Sequence, residues 1–160
     1  MDQRTNADDR DTAFTLETFL PYRLVRIAER VSREFAENYR EKYGLSRPEW
    51  RCLATLGQFG TITSKEIGES TAMHKTKVSR AVAELDRRGW LKRRPDSHDR
   101  RAEQITLTAA GRKAFRDMVP LAEAFETSLH ASLGRNAAAQ LLSGLDRLER
   151  HYRLAPHDHE

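Results

Sequence analysis

The chain is poor in the features that stabilise secreted and membrane proteins. It has one cysteine, Cys52, in 160 residues, which excludes an intrachain disulfide and a multi-cysteine zinc site. No stretch approaches the roughly 18 apolar residues that a membrane span needs. The first residues include Asp2, Asp8, Asp9 and Asp11 instead of a basic start and an apolar run. No secretory leader is expected, and the expected compartment is a reducing cytoplasm. The sequence also lacks a glycine-rich phosphate loop, a nucleophile elbow and a His-Glu helical metal motif. An enzyme is therefore not expected, nor a cofactor or a resident metal. Internal repeats and long low-complexity linkers are missing too.

What is present is charge, unevenly placed. The chain has 28 Lys and Arg against 24 Asp and Glu, a net charge of +4, and a mean hydropathy of −0.76. Its length suits one domain. The low hydropathy is ordinary for long amphipathic helices, which often bury a second face in a partner, so an oligomer is expected. Between His74 and Arg101 there are ten Lys or Arg and four acids, a local charge of +6 that leaves −2 for the rest. A basic patch on a near-neutral body is the footprint of a polyanion binder, although an Arg-rich solvated helix face has the same composition.

Residues 1–14 are polar and are expected to form an unstructured tail. A long helix is expected next, with Pro21 in its first turn, an apolar stripe of Leu24, Ile27, Ala28, Val31, Phe35 and Tyr39, and Gly44 at its end. Ser46, Pro48 and Glu49 form a capping box that opens a second helix carrying Trp50, Leu53, Ala54 and Leu56, with Gly57 and Gly60 marking its end. Thr63 and Glu66 form another box, opening a short helix to about Ser70. After a break at 70–73 a further helix runs from about Lys75 to Arg88, with Val78, Val82 and Leu85 inward and Gly89 as its stop. Residues 90–94 and 102–106 read as two strands around a charged turn. Thr108 caps a long helix with the stripe Phe115, Met118, Val119, Ala122, Phe125, Leu129 and Leu133, with a kink or lost hydrogen bond expected at Pro120. Gly134 and Asn136 separate it from a last helix carrying Ala138, Leu141, Leu145, Leu148 and Tyr152 and ending by Pro156.

Helix, helix, turn, helix and hairpin between residues 46 and 107 make a winged helix-turn-helix. The expected fold is mainly α with a small β-hairpin wing, and a helical dimerisation region is expected from 15–45 and 108–155. The second helix of such a unit lies in the major groove of double-stranded DNA, with its N-terminal residues at base edges. Those residues are His74, Lys75, Thr76, Lys77, Ser79 and Arg80. Lys77 and Arg80 can donate to guanine, and Thr76 can present a methyl to thymine. Lys75, Thr76 and Ser79 can equally hold phosphates. Arg100 and Arg101 sit at the hairpin tip, where they can reach the minor groove.

The run Lys75-Thr-Lys-Val-Ser-Arg-Ala-Val-Ala-Glu-Leu-Asp-Arg-Arg-Gly89 is followed by Trp90-Leu-Lys-Arg-Arg-Pro95, Asp99-Arg-Arg101 and Leu107-Thr-Ala-Ala-Gly111. Together these resemble the MarR family of bacterial transcriptional regulators, over about residues 15–150. The resemblance implies a homodimer whose terminal helices interlock and whose two winged units bind a pseudopalindromic operator. It also implies that Arg101 enters the minor groove and that Asp99 braces the wing. One departure is that the turn at 70–73 lacks the glycine many such units use. Wide apolar stripes on the last two helices argue independently for a dimer.

The resemblance further implies a small effector between the dimer helices and the DNA-reading unit, often an aromatic carboxylate. Tyr22, Arg23, Arg26, Arg30, Arg47 and Trp50 are the candidate contacts, with Arg to pair a carboxylate and Trp to stack on a ring. The expected function is a ligand-released repressor responding to an aromatic acid or its coenzyme A thioester. The same residues also read as an ordinary core tryptophan and solvated or dimer-bridging arginines. A non-specific architectural DNA-binding protein is the alternative, and an interaction adaptor on a winged helix a third. Cys52 reads as a buried structural thiol rather than an oxidant sensor. His151, His157, Asp158, His159 and Glu160 read as a polar tail rather than a metal site.

Overall fold

The computed structural model describes residues 14–97 and 102–154. In order, the elements are α1 (Leu20–Tyr43), α2 (Arg47–Phe59), β1 (Ile62–Thr63), α3 (Ser64–Thr71), α4 (Lys75–Arg87), β2 (Leu91–Pro95), β3 (Glu103–Leu107), α5 (Ala109–Leu133) and α6 (Arg135–Tyr152). The chain divides into a small unit ending at Glu34 and a larger one from Phe35 onward.

In the small unit a turn closed by the Thr18 N–H on the Thr15 carbonyl at 3.2 Å precedes α1. The helix thus begins at Leu20, later than the expected start of the helical region at residue 15. Phe14 packs edge-on against Phe19 at 5.1 Å. Leu16, Leu20, Leu24, Val25 and Ile27 are all exposed, so the first part of the predicted stripe is uncovered in the single chain.

The larger unit begins on the last turns of α1, where Ala36 and Tyr39 are buried. Both predicted capping boxes form. Ser46 Oγ accepts from the Glu49 N–H while Glu49 accepts from the Ser46 N–H at 3.0 Å, and Thr63 and Glu66 make the same reciprocal pair. Each box satisfies backbone donors that a helix start otherwise leaves open. Leu53, Leu56, Ile67, Val82, Leu85 and Ile105 form the centre of one core. Each is worth roughly 1.5–3 kcal/mol relative to an exposed side chain.

The wing has a third strand that the sequence pattern did not reveal. β1 pairs with β3 (Ile62 opposite Ile105), and β3 pairs with β2 (Leu91 opposite Leu107), both antiparallel, in the order β1-β3-β2. The return strand is Glu103–Leu107, one residue later than expected, because Leu107 pairs with the buried Leu91 at the wing root. Other boundaries move as well. Gly57 lies inside α2 and Asn136 inside α6, while α6 ends at Tyr152 with Arg153 in a left-handed conformation, before Pro156. Helix α5 runs on through Pro120. That residue has no N–H for the Arg116 carbonyl, but it is exposed, so water can take the free acceptor.

The missing glycine of the helix-turn-helix has a structural answer. Ala72 holds the left-handed position, at φ +52°, where an L-residue is strained and glycine would not be.

Candidate nucleic-acid interface

Helix α4 packs against α2 and α3, and its burial pattern decides what it shows to solvent. Val78, Ala81, Val82 and Leu85 face the core. His74, Lys75, Thr76, Lys77, Ser79 and Arg80 are all exposed. The helix start therefore leaves all six residues expected of the reading helix open to solvent. His74 has a second task. It is the N-cap residue, and its Nδ1 accepts from the Thr76 N–H at 3.4 Å, which requires that nitrogen to be unprotonated.

Eight of the ten cations counted in the sequence lie among the described residues, and they separate into two populations. Arg87 forks onto Glu84 at 2.8 and 2.7 Å. The Arg87 hydrogen bond, opposed by partial burial and assisted by Arg88, holds the Glu84 carboxyl at about 2 instead of the ordinary 4.5. Arg93 lies 3.1 Å from Asp86 of α4 and 3.4 Å from Glu103 of β3. Arg88 is spent inside the fold on backbone carbonyls and two carboxylates. Among the described residues Lys75, Lys77, Arg80, Lys92 and Arg94 form no ion pair, and they are exposed. Their positive charge is available to a polyanion.

The wing root is tightly built. The Thr108 N–H donates to the Trp90 carbonyl at 2.9 Å and its hydroxyl to the Gly89 carbonyl at 2.8 Å. Thr108 also caps α5 by accepting from the Gly111 N–H. A Cβ at Gly111 would fall 2.2 Å from the Trp90 carbonyl oxygen, so the start of α5 approaches the wing root more closely than any side chain permits. The Leu-Thr-Ala-Ala-Gly run is the chemistry of that joint. Further out, Gln104 hydrogen-bonds the Asp96 carboxylate, and the Asp96 N–H reaches the Ala102 carbonyl at 2.9 Å. Asp99, Arg100 and Arg101, the predicted tip contacts, lie outside the described residues, as do His157, Asp158, His159 and Glu160. His151 stacks edge-on against Tyr152 at 4.8 Å.

The predicted effector residues fall in both units. In the small unit Arg23, Arg26 and Arg30 line an open groove of about 440 Å³ with Glu17, Ile27 and Val31. The Arg26 guanidinium lies over the Tyr22 ring at 5.9 Å. In the larger unit Trp50 packs against Phe35 at 5.5 Å and Tyr39 at 5.7 Å, and Phe35 also meets Phe125. Arg47 is half-buried in the first turn of α2. Cys52 is fully buried. Burial pushes its thiol up to about 12, with Glu49 adding to the effect, which suits a packed thiol and not a reactive thiolate.

An exposed helix start with unpaired cations, set on a helix-turn-helix and flanked by a three-stranded wing, defines a winged helix-turn-helix DNA-binding protein. Among the described residues no helix is long and apolar enough to cross a membrane. The chain matches a sequence model of the MarR family over residues 43–102, and its structural neighbours include a transcriptional regulator of that family. It is 29% identical over 108 residues to the HTH-type regulator YwoH of Bacillus subtilis, covering 68% of this chain and 77% of the relative. The crystal structure of the MarR family regulator SPO1453 from Silicibacter pomeroyi is 28% identical, with a TM-score of 0.76 over 88% of this chain and 99% of that one. The fold is also that of Bordetella bronchiseptica BpsR, whose DNA binding is regulated by 6-hydroxynicotinic acid, at 23% identity and a TM-score of 0.73 over 86% and 97% of the two chains.

Proposed function

We propose that this regulator is a homodimeric, sequence-specific repressor that reads a pseudopalindromic operator through His74 to Arg80 and is released by a small aromatic acid. The observation that carries the reading is the unpaired, exposed cluster of Lys75, Lys77 and Arg80 beside Thr76 and Ser79 on the outer side of α4. Arg80 and Lys77 read guanine edges, and Lys75 and Ser79 hold phosphates. Arg101 enters the minor groove, assisted by Arg100 and braced by Asp99, in keeping with the resemblance of the Asp-Arg-Arg run. The exposed apolar residues of α1 and α6, including Leu141 and Leu142, supply the dimer seam.

For the effector, the arginines at 23, 26 and 30 give one groove three cations alternating with Ile27 and Val31, a setting suited to a carboxylate on an apolar ring. Tyr22 belongs to the same stretch. A coenzyme A thioester would need further basic residues for its phosphates, beyond the three arginines of this groove. The effector of BpsR, an aromatic carboxylic acid, belongs to this chemical class.

The test uses the duplex that the protein selects from a randomised pool. Fluorescence anisotropy at fixed salt should show that sequence bound far more tightly than random DNA, whereas an architectural binder would treat the two alike. Arg80→Ala should weaken binding by about 1–3 kcal/mol and flatten preference at one position per half-site. Unchanged affinity and preference would remove Arg80 from the reading set. Titrating 6-hydroxynicotinic acid and related aromatic acids into the complex tests release.

A further inference from the structure

Arg88 was counted with the DNA-facing cations, but the structure gives it another occupation. Its side chain is only 22% exposed. Nη1 donates to the Tyr43 carbonyl at 2.9 Å and Nη2 to the Gly44 carbonyl at 2.8 Å. Nε donates to Glu84 Oε1 at 3.0 Å, and Nη2 lies 3.7 Å from Glu49 Oε2. The guanidinium carbon stands 5.5 Å from the centre of the Trp90 ring. One planar group thus joins the C-terminal end of α1, the capped start of α2 and the C-terminal end of α4. Gly44, at φ +60°, is the residue whose turn places the last carbonyls of α1 against it. Two of its bonds go to carbonyls that a helix end leaves without backbone partners. Because the group forks, it fixes direction as well as distance.

We propose that Arg88 is a positioning residue for operator recognition: by locking the end of α4 to the end of α1, it sets the separation at which two reading helices engage two half-sites. The proposal rests on the dimeric, operator-reading function above. A reading helix contacts bases at its N-terminal end, so the attachment of its far end decides where that contact falls. Arg88 touches no DNA in this role. Glu84 belongs to the same lock, since it holds Arg88 and Arg87 at once.

The experiment compares wild type, Arg88→Gln, Arg88→Lys and Glu84→Gln on three duplexes. These are the sequence selected by the wild-type protein, the same sequence with one base pair inserted between half-sites, and a single half-site. Wild type should reject the inserted duplex. Arg88→Gln should lose at least about fivefold in affinity for the selected sequence, keep its half-site affinity, and lose its rejection of the inserted duplex. Arg88→Lys keeps a charge near Glu84 but cannot fork onto both carbonyls, so it should fall between. Glu84→Gln should shift in the same direction as Arg88→Gln. If Arg88→Gln does not fold, Arg88→Lys and Glu84→Gln carry the same comparison. A parallel loss on all three duplexes with the spacing preference intact would mean that Arg88 only stabilises the fold, and would overturn the proposal. A wild-type protein indifferent to spacing, or to sequence, would instead overturn the operator-reading function itself, and the proposal with it.

Discussion

Replacing Gly111 by alanine sets two forces of known sign against each other. Gly111 lies in the first turn of α5, where helix propensity alone favours alanine by about 1 kcal/mol. The added Cβ would meet the Trp90 carbonyl oxygen at 2.2 Å, its carbon at 3.0 Å and its Cα at 3.2 Å. Non-bonded heavy atoms rest near ~3.5 Å, and these neighbours are backbone that no rotamer change can move. Overpacking of this kind costs about 1–3 kcal/mol. Moving α5 away also strains the Thr108 hydrogen bonds to Gly89 and Trp90, each worth about 1 kcal/mol. The steric and hydrogen-bond losses exceed the propensity gain, so Gly111→Ala should destabilise the protein by about 1–3 kcal/mol. At about 2–4 °C per kcal/mol for a protein of this size, the melting temperature should fall by about 2–12 °C. Calorimetry at one fixed protein concentration measures it. A melting temperature unchanged or raised would refute the close approach of α5 to the wing root.

Ala72→Gly should act in the other direction: relief of a left-handed alanine, about 1–2 kcal/mol, exceeds the extra unfolded-chain entropy of glycine, about 0.4–1 kcal/mol. The urea midpoint should rise with an unchanged slope, and a fall in the midpoint would contradict the strain assigned to the turn. Glu84, held at about 2 by the Arg87 hydrogen bond first and Arg88 after it, stabilises the fold above its ordinary value of 4.5 and loses that contribution as the pH falls from there toward 2. Melting temperatures of Glu84→Gln across that window should decline less steeply than those of wild type, and identical acid limbs would sink the assignment. Leu141 is 48% exposed in the single chain, so Leu141→Asp should leave the chain folded while placing an unpaired charge in the proposed dimer seam. Sedimentation should show monomers; an intact dimer would exclude this part of α6 from the seam.

Helix starts were legible in the sequence because a capping box needs only atoms three residues apart. Ser46 with Glu49 and Thr63 with Glu66 make their bonds as expected. The periodicity of Val78, Val82 and Leu85 likewise settled which side of α4 turns inward, and hence that His74, Lys75, Thr76, Lys77, Ser79 and Arg80 are left exposed. Helix ends were less legible. Gly57 and Asn136 looked like breaks but lie inside helices, since packing outweighs the weak local preference of a single residue.

What only the tertiary structure decided depends on residues far apart in the chain. Strand β1 is two residues long, and its partners Gln104 and Ile105 are more than 40 positions away; no local pattern announces such a pairing. The sorting of the cations has the same origin. Lys75, Lys77 and Arg80 carry the same charge as Arg87, Arg88 and Arg93, but only the latter meet Glu84, Asp86, Glu103 or the end of α1. Charge is a property of a residue. Whether that charge remains available to DNA is a property of its neighbours, and the fold chooses those.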